Sequence, residues 1–374
     1  LWFGTMWQFG GLAIMPMALL VLSGDRALDV GWAGYVGAGL AFLLTGIGMH
    51  MTQTAGLALA ADRATEQTRP KVVALLYVMN LVGMAFAALI IGALLRDYSA
   101  LRLVQVVQGT AVITLLLNLI ALWKQERVVP MTKAQRSEPG PTFREAWADL
   151  AKGGDAGRLL AVVFFGTMAF NMQDVLLEPY GGEILGLSVS ATTMLTAMWA
   201  CGALVGFAVA ARWLARGDDP FRMCARGLLA GVAAFCAVIF AAPVGSATLF
   251  YIGAGLIGFG SGLFGVSTLT AAMTMPTIGR AGRGLALGAW GAAQATGAGL
   301  SIFIGGTLRD LVNHAAGNGI LGEALATPAT GYSVVYHTEI ALLFITMIVL
   351  GPLVRLRPIT QRGSAKLELA DFPT

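Results

Sequence analysis

The chain has little charge, little cysteine and few histidines. Lys, Arg, Asp and Glu make up 12% of its 374 residues, against about 25% in soluble domains, which excludes a water-soluble globular fold. Cys201, Cys224 and Cys236 have neither metal-ligand spacing nor the pattern of a disulfide framework, so we expect small core residues. Because the sequence has no phosphate-binding loop and no dinucleotide fingerprint, nucleotide-driven or covalent catalysis has no candidate residues.

Long apolar runs take up most of the chain. A run of about 20 apolar residues is long enough to cross the hydrocarbon core of a bilayer. Glycine is abundant, at 49 residues, which suits membrane helices that pack by close backbone approach. The runs predict ten spans, at 1–22, 33–61, 71–95, 101–123, 157–178, 186–213, 221–242, 247–275, 283–307 and 337–356.

Basic residues are dense in every second loop between these spans. Arg26, Arg96, Arg102 and Arg309 lie on one side, which leaves 20 of the 24 Lys and Arg residues on the other. Since cytoplasmic loops carry the excess of Lys and Arg, we expect the basic side and the C-terminus in the cytoplasm. The same bias explains the net charge of +4, and the basic loops lack the aromatic residues typical of nucleic-acid binding.

The chain contains an internal repeat. Tyr-Val-Gly-Ala-Gly-Leu opens the second span at 35–40, and Tyr-Ile-Gly-Ala-Gly-Leu opens the eighth at 251–256. At the same offset Thr52 and Thr54 match Thr268 and Thr270. Duplicated halves are typical of transporters, and six spans follow the long polar stretch where only four precede it. We therefore expect two further spans before Leu1.

These observations predict an all-α polytopic membrane protein. Its fold is expected to be a six-plus-six helix bundle of the major facilitator type, with about ten of twelve spans present. The expected parts are an N-terminal bundle over 1–123, a cytoplasmic linker over 124–156 with a short surface helix at 142–152, a C-terminal six-helix bundle over 157–356 and a cytoplasmic tail over 357–374.

Polar residues inside a membrane are costly, which makes each of them a candidate for function. His50 lies near the middle of the second span, with Gln53 one turn further on, and His314 and His337 are expected at or beyond span boundaries. A neutral imidazole suits the axial position of a chlorophyll magnesium or a proton carrier. A hydrogen bond across helices is the alternative interpretation.

The densest polar stretch at a span end runs Phe-Asn-Met-Gln-Asp-Val-Leu-Leu-Glu-Pro-Tyr-Gly-Gly-Glu over 170–183. Pro179 is predicted to end the helix, and the two glycines after Tyr180 to let the chain turn. Asn171, Asp174 and Glu178 are three and four residues apart, so one helix would place them on one face. Two carboxylates there suit a cation, a proton or a polar ligand; a solvated helix end is the alternative.

Glycines at helical spacing give some spans a smooth face. Gly202 and Gly206 form one such pair, Gly284 and Gly288 another, and the eighth span carries a run of six between 253 and 265. Smooth faces usually mean helix–helix contact. The alternative is a surface on which a flat macrocycle lies.

Two stretches go beyond a generic transporter. The first is Gly-Ile-Gly-Met-His-Met-Thr-Gln-Thr-Ala-Gly-Leu-Ala-Leu-Ala at 46–60, with Arg-Pro-Lys-Val-Val-Ala-Leu-Leu-Tyr at 69–77. The second, more specific, is Asn-Met-Gln-Asp-Val-Leu-Leu-Glu-Pro-Tyr-Gly-Gly at 171–182. Both resemble the bacteriochlorophyll delivery family, the PucC/LhaA proteins of purple phototrophic bacteria. The likeness covers the whole chain, and the family's twelve spans agree with the repeat.

The resemblance implies a non-enzymatic assembly factor for light-harvesting antenna, inner (LH1) or peripheral (LH2), in the intracytoplasmic photosynthetic membrane. Such a factor would bind bacteriochlorophyll, or deliver it to antenna α/β polypeptides, and chaperone their oligomerisation. The reaction centre–antenna complex, carotenoid, lipid and a second copy of the chain are further candidate partners. Residues that combine motif membership with polarity inside the membrane are the candidate ligands: His50, Gln53, Asn171, Gln173, Asp174 and Glu178.

Two other functions fit the same pattern. One is a proton-coupled transporter of a small solute that uses Asp174 and Glu178, which the fold class permits. The scarcity of acids and the lack of Lys or Arg inside the spans count against it. The other is a purely structural protein that packs against antenna helices through its outer face.

Overall fold

The described part of the chain is helical. The structure is a computed structural model, and it describes residues 1–22, 31–65, 68–95, 99–123, 142, 144–145, 147–148, 155–274 and 283–355. Its long helices are α1 (Trp2–Leu22), α2 (Gly31–Arg63), α3 (Arg69–Leu94), α4 (Ala100–Leu122), α5 (Asp155–Asn171), α7 (Val189–Leu214), α8 (Pro220–Val244), α9 (Ala247–Thr274), α10 (Arg283–Gly317) and α11 (Ala329–Arg355). A short helix, α6, covers Leu177–Glu183, and 3₁₀ turns cover Met172–Val175 and Glu323–Leu325.

Every predicted span coincides with helical structure. Among the described residues, seven stretches are long and apolar enough to cross a membrane: Trp32–Ala60, Leu101–Leu122, Asp155–Glu183, Met194–Leu214, Pro220–Val244, Ala247–Thr274 and Ala329–Val354. A shorter apolar stretch, Lys71–Ala87, lies within α3. The prediction of a polytopic all-α membrane protein is confirmed.

The predicted spans 283–307 and 337–356 leave a loop at 308–336, and this predicted loop is too long. Helix α10 continues to Gly317 and α11 already begins at Ala329. The hydropathy pattern placed the predicted span ends at polar residues, but the helical hydrogen bonding continues past these residues. The two helix ends are joined where the Gly331 N–H donates to the Asn313 side-chain oxygen at 2.8 Å. One consequence is that His337, expected at a boundary, lies inside a helix and a candidate span.

The chain forms two compact units. The first unit comprises Leu1–Leu160 and Leu269–Leu300, and the second comprises Ala161–Thr268 and Ser301–Thr374. In the first unit α1 and α2 pack closely at glycines. A Cβ atom at Gly11 would lie 2.7 Å from the Ala41 carbonyl oxygen, and one at Gly4 would lie 2.8 Å from that of Gly48. Without side chains at these positions the two backbones approach closely, which favours van der Waals packing.

In the second unit the glycine faces are helix–helix contacts. Gly202 and Gly206 on α7 lie against the α9 backbone, and Gly227 on α8 meets Gly260 on α9, where each Cβ would lie 2.8 Å from the other residue's carbonyl oxygen. The interpretation of these faces as packing surfaces is confirmed. Gly284 differs, because no described atom lies within 4 Å of the place where its Cβ would be.

Two glycines of α9 provide a matched test of this packing. A Cβ at Gly258 would collide with the Trp199 carbonyl oxygen, whereas a Cβ at Gly255 would lie 3.6 Å from the Met198 carbonyl oxygen. Alanine favours a helix over glycine by about 0.5–1 kcal/mol at either site. We expect Gly258→Ala to lower the free energy of unfolding by about 1–3 kcal/mol through overpacking, and Gly255→Ala to leave it unchanged or raise it. Thermal unfolding in mild detergent measures both; equal unfolding midpoints would contradict this packing.

The repeat extends to side-chain hydrogen bonds. Thr52 donates to the Gly48 carbonyl oxygen at 2.9 Å, and its counterpart Thr268 donates to the Phe264 carbonyl oxygen at 2.9 Å. Both hydroxyl groups bond one turn back on their own helix, which satisfies a polar group without a partner helix.

The predicted linker and tail lie mostly outside the described residues, and 357–374 lies wholly outside them. Within the linker, the Thr142 N–H donates to Glu145 Oε2 at 2.9 Å, and the Glu145 N–H donates to Thr142 Oγ1 at 3.4 Å. This reciprocal pair is a capping box, which marks the start of a helix at the predicted position.

Candidate functional site

The polar motif at 171–182 lies on a broken helix. Helix α5 ends at Asn171, a 3₁₀ turn covers Met172–Val175, and α6 begins at Leu177. The prediction that Pro179 ends the helix is wrong, because Pro179 lies in the first turn of α6, where a backbone N–H has no helical partner to lose. The chain turns later, at Gly186, whose φ of +65° favours glycine.

Gln173 stabilises the break. Its side chain is almost fully buried, and its Nε2 donates to the Phe170 carbonyl oxygen at 3.3 Å and to Asp174 Oδ1 at 2.6 Å. The first bond satisfies a carbonyl at the end of α5. The second holds the Asp174 carboxyl group in place. Gln173 and Asp174, which are neighbours in the sequence, are thus joined by a side-chain hydrogen bond.

The other motif residues do not join them on one continuous helix. Asn171 ends α5 and is half-buried, while Glu178 is exposed in the first turn of α6. Glu178 Oε1 instead accepts a hydrogen bond from the Thr196 hydroxyl of α7 at 2.7 Å. The predicted common face for Asn171, Asp174 and Glu178 assumed an unbroken helix, and it stays a prediction because a 3₁₀ turn lies between these residues.

A fully buried carboxyl group lies beside the break. Glu339 on α11 has 0% of its surface exposed, and neither of its carboxyl oxygens has a hydrogen-bond partner among the described residues. The Gln173 backbone N–H and the Asp174 carboxyl group lie near enough to interact electrostatically, though outside hydrogen-bond geometry. One turn earlier on α11, the Tyr336 hydroxyl is also buried without a hydrogen-bond partner. We call Asp174, Tyr336 and Glu339 the acid cluster.

Asp174 is the exposed member of the acid cluster. Its side chain is exposed, whereas those of Tyr336 and Glu339 are fully buried. The acid cluster thus runs from an exposed carboxyl group to a buried one.

Aromatic rings pack around the acid cluster. The Tyr180 ring centroid lies 5.3 Å from those of Tyr332 and Tyr336, and 5.5 Å from that of Phe250. Phe235 stacks on the other side of Tyr336 at 6.4 Å. The Pro-Tyr-Gly-Gly part of the motif therefore serves packing, because Tyr180 fills the core of the second unit.

An arginine holds three helices together near the end of α6. Arg309 on α10 donates to Glu183 Oε2 at 3.1 Å and to the Tyr332 hydroxyl at 2.7 Å, and that hydroxyl donates to Glu183 Oε2 at 2.8 Å. The Arg309 guanidinium also lies over the Tyr332 ring, 4.7 Å from its centroid. We call Glu183, Arg309 and Tyr332 the arginine clamp. It links α6, α10 and α11 within the second unit.

Sequence reasoning missed Glu339, Tyr336 and the arginine clamp. A signal for Glu339 existed, since it is a lone acid in the apolar run that was predicted to start at 337. The helix starts two turns earlier, so Glu339 lies well inside it.

His50 and Gln53 lie in the first unit, on α2. His50 is two residues from Gly48 and from Thr52, both of which contact α1. At about 100° per residue, His50 therefore faces away from α1. Its ring is half-buried and makes no hydrogen bond to another described residue, and Gln53 is exposed.

The face of α2 that carries His50 meets α10 within the first unit. Thr54, one turn after His50, lies beside two glycines of α10. A Cβ at Gly288 would be 3.6 Å from the Thr54 methyl group, and one at Gly291 would be 3.5 Å from the Thr54 hydroxyl. No group of three or more His, Cys, Asp or Glu side chains that could hold a metal ion occurs in the described ranges.

The helices define the class of protein, an all-α membrane protein of the major facilitator fold. The crystal structure of a Major Facilitator Superfamily (MFS) transporter, FucP, in the outward conformation matches with a TM-score of 0.59 at 15% identity. The match covers 93% of this chain and 83% of that one, and at this identity it shows the fold alone. The predicted fold class is confirmed.

The chain belongs to the PucC family, since the family described as PUCC protein matches residues 1–357. An uncharacterized protein in the puhA-bchM intergenic region of Rhodobacter capsulatus is 60% identical over 378 residues, covering 100% of this chain and 79% of that protein. Protein PucC of Rhodovulum sulfidophilum is 50% identical over 316 residues, covering 83% of this chain and 69% of that protein. The resemblance inferred from the two motifs is confirmed.

Proposed function

We propose that this protein is a non-enzymatic assembly factor for the photosynthetic light-harvesting antenna. In this role it carries bacteriochlorophyll to newly inserted antenna α/β polypeptides and chaperones their association. The observation that carries the proposal is the family match over residues 1–357, which includes both distinctive motifs. The proposed site of action is the intracytoplasmic photosynthetic membrane, with the linker 124–156 and the C-terminus in the cytoplasm.

His50 is the proposed axial ligand of the pigment magnesium. An imidazole without a hydrogen bond to another described residue keeps a nitrogen lone pair available for a metal. Gly288 and Gly291 on the facing part of α10 carry no side chain, and a flat macrocycle needs such a smooth surface. Gln53, three residues on and exposed, is suited to donate a hydrogen bond to a carbonyl group at the ring edge.

The second group of proposed ligands is on the broken helix. Asp174 and Glu178 are exposed and can accept hydrogen bonds from a polar ligand, and Asn171 is half-buried beside them. Gln173 is proposed to position Asp174, since its amide already bonds that carboxyl group. The proposed partners are the inner or peripheral antenna polypeptides and the reaction centre–antenna complex; carotenoid, lipid and a second copy of the chain are further candidates.

The test of this proposal is antenna assembly in a phototrophic host that carries His50→Ala. We expect the antenna absorption to fall at least several-fold while the variant accumulates in the membrane at the normal level. His337→Ala is the matched control. His337 is an exposed helical histidine whose Nδ1 lies 2.7 Å from the Ser333 carbonyl oxygen on the same helix. Normal antenna in His50→Ala cells would refute the assignment of His50.

Proton-coupled transport of a small solute is the second candidate function. The observation that favours it is the buried Glu339 carboxyl group beside Asp174, since intramembrane acids are typical of proton pathways. Solute uptake by energised vesicles that contain the protein, and by matched vesicles without it, separates transport from pigment delivery. Uptake that depends on a proton gradient would favour the transporter.

A further inference from the structure

Among the described residues, the Glu339 carboxyl group has no partner that would balance a charge. An ionised carboxylate in an apolar interior is strongly unfavourable unless a cation or hydrogen-bond donors compensate it. Both Glu339 oxygens lack hydrogen bonds to the described residues, and so does the neighbouring Tyr336 hydroxyl. Two unpartnered polar groups that are both fully buried on one helix turn indicate a ligand between or beside them.

Among the described residues, no basic side chain interacts with Glu339. The titratable groups near Glu339 are Asp174 from the 3₁₀ turn and Tyr336 from α11, and Tyr336 in turn lies near Tyr180 and Tyr332. Helix α8, which packs against α11, contributes Phe235 and no charged residue at this level.

Two basic residues of the second unit, Arg309 and His337, already bond other groups. Arg309 is bound by Glu183, Asp310 and Tyr332. His337, two residues from Glu339, is exposed and bonds the Ser333 carbonyl oxygen at 2.7 Å. The groups around Glu339 are thus acids and phenols, which supply oxygen atoms and no positive charge.

We propose that Glu339, with Tyr336 and Asp174, forms a buried site for a small monovalent cation, either a sodium ion or a proton. Oxygen atoms are the donors that such cations require. The helix break at 172–175 lies next to the site, and discontinuous helices commonly supply backbone groups to ions in transporters. Asp174 is exposed while Glu339 is not, so Asp174 is the entry point from solvent.

This site does not include the proposed pigment ligand His50, which lies in the first unit, but it shares Asp174 with the second group of proposed ligands. Cation binding at Glu339 does not depend on the proposed function. The cation would stabilise the second unit, because a bound ion links α11 to the 3₁₀ turn between α5 and α6. Removal of the ion leaves two acids close together, which loosens that contact.

The test uses the purified full chain in mild detergent. Thermal unfolding is compared in NaCl and KCl at equal ionic strength and alkaline pH. In parallel, the infrared difference between low and high pH reports protonation of a buried carboxylic acid. The variants are Glu339→Gln and Tyr336→Phe, with Glu323→Gln, an exposed acid of the second 3₁₀ turn, as the control.

For a sodium site, we expect Na⁺ to raise the wild-type unfolding midpoint by several degrees over K⁺. For a proton site, we expect no such difference but an infrared carboxylic-acid band that titrates. In either case the signal must disappear in Glu339→Gln, weaken or shift in Tyr336→Phe and persist in Glu323→Gln. A wild-type protein without either signal, or a Glu339→Gln variant that keeps it, would overturn the proposal. Tyr336→Phe keeps the ring packing, so it tests the site even if Glu339→Gln does not fold.

Discussion

Replacement of Tyr180 by alanine is expected to lower the free energy of unfolding by about 3–5 kcal/mol, as for other large aromatic residues in cores. The Tyr180 side chain is only 3% exposed and contacts Phe250, Tyr332 and Tyr336. Its removal leaves a cavity at the point where α6, α9 and α11 meet. Because α6 is short, only Leu177 and Gly181 are buried on it besides Tyr180.

Thermal unfolding and the membrane level of the protein measure this effect. Tyr180→Phe is the matched variant, since it keeps the ring and removes only the hydroxyl group, and we expect a stability close to that of the wild type. Tyr35→Ala, at an aromatic residue that is 72% exposed, controls for loss of an aromatic ring elsewhere. A Tyr180→Phe variant as unstable as Tyr180→Ala would show that the hydroxyl group, and not the ring packing, explains the motif.

Replacement of Arg309 by alanine is expected to lower the free energy of unfolding by about 1.5–3 kcal/mol, the range for hydrogen bonds to charged groups. The change leaves Glu183 and the buried Tyr332 hydroxyl without the guanidinium that joins them. The Arg309 side chain is 25% exposed, so solvent replaces these bonds incompletely.

Arg226 is the matched control for Arg309. It also pairs with an acid, Asp218, at 3.0 Å and lies over an aromatic ring, that of Trp213, but both partners of the pair are nearly half exposed, at 46% and 45%. Exposed ion pairs contribute about 0–1 kcal/mol, so Arg226→Ala is expected to change the unfolding midpoint little. Equal losses for Arg309→Ala and Arg226→Ala would mean that the arginine clamp contributes no more than a surface pair.

Much of the fold follows from hydropathy alone. The alternation of long apolar runs with polar loops predicts every long helix, because a bilayer span requires both length and apolar character. Where the hydropathy falls, the predicted spans are shorter than the helices. The ends of α10 and α11 carry Arg309, Asn313 and Ser333, which lower the hydropathy although the helices continue.

The helix break could not be predicted in the same way. Residues 172–175 contain no glycine or proline, so nothing local marks a 3₁₀ turn there. The break depends on the Gln173 side chain, which satisfies the Phe170 carbonyl oxygen, and on packing against α11. Contacts between distant parts of the chain are not visible in a local pattern.

The candidate site was predicted in part for the same reason. Polarity inside an apolar run is a local signal, and it singled out Gln173 and Asp174, which share a side-chain hydrogen bond. It could not pair Asp174 with Glu339, because 165 residues separate them in the sequence. Local polarity and composition also predicted a turn at the Pro-Tyr-Gly-Gly segment, whereas in the structure Tyr180 lies in the core.

The most direct test of pigment carriage is a near-infrared absorption spectrum of the protein. It is purified in mild detergent from a phototrophic host from which the antenna polypeptides have been deleted, with the His50→Ala variant prepared in parallel. We predict a bacteriochlorophyll band in stoichiometric amount that is reduced or shifted in the variant, since loss of the axial ligand changes the pigment's environment. A wild-type protein that carries no bacteriochlorophyll would contradict the proposal that it binds pigment, and would favour a chaperone of polypeptides or a transporter.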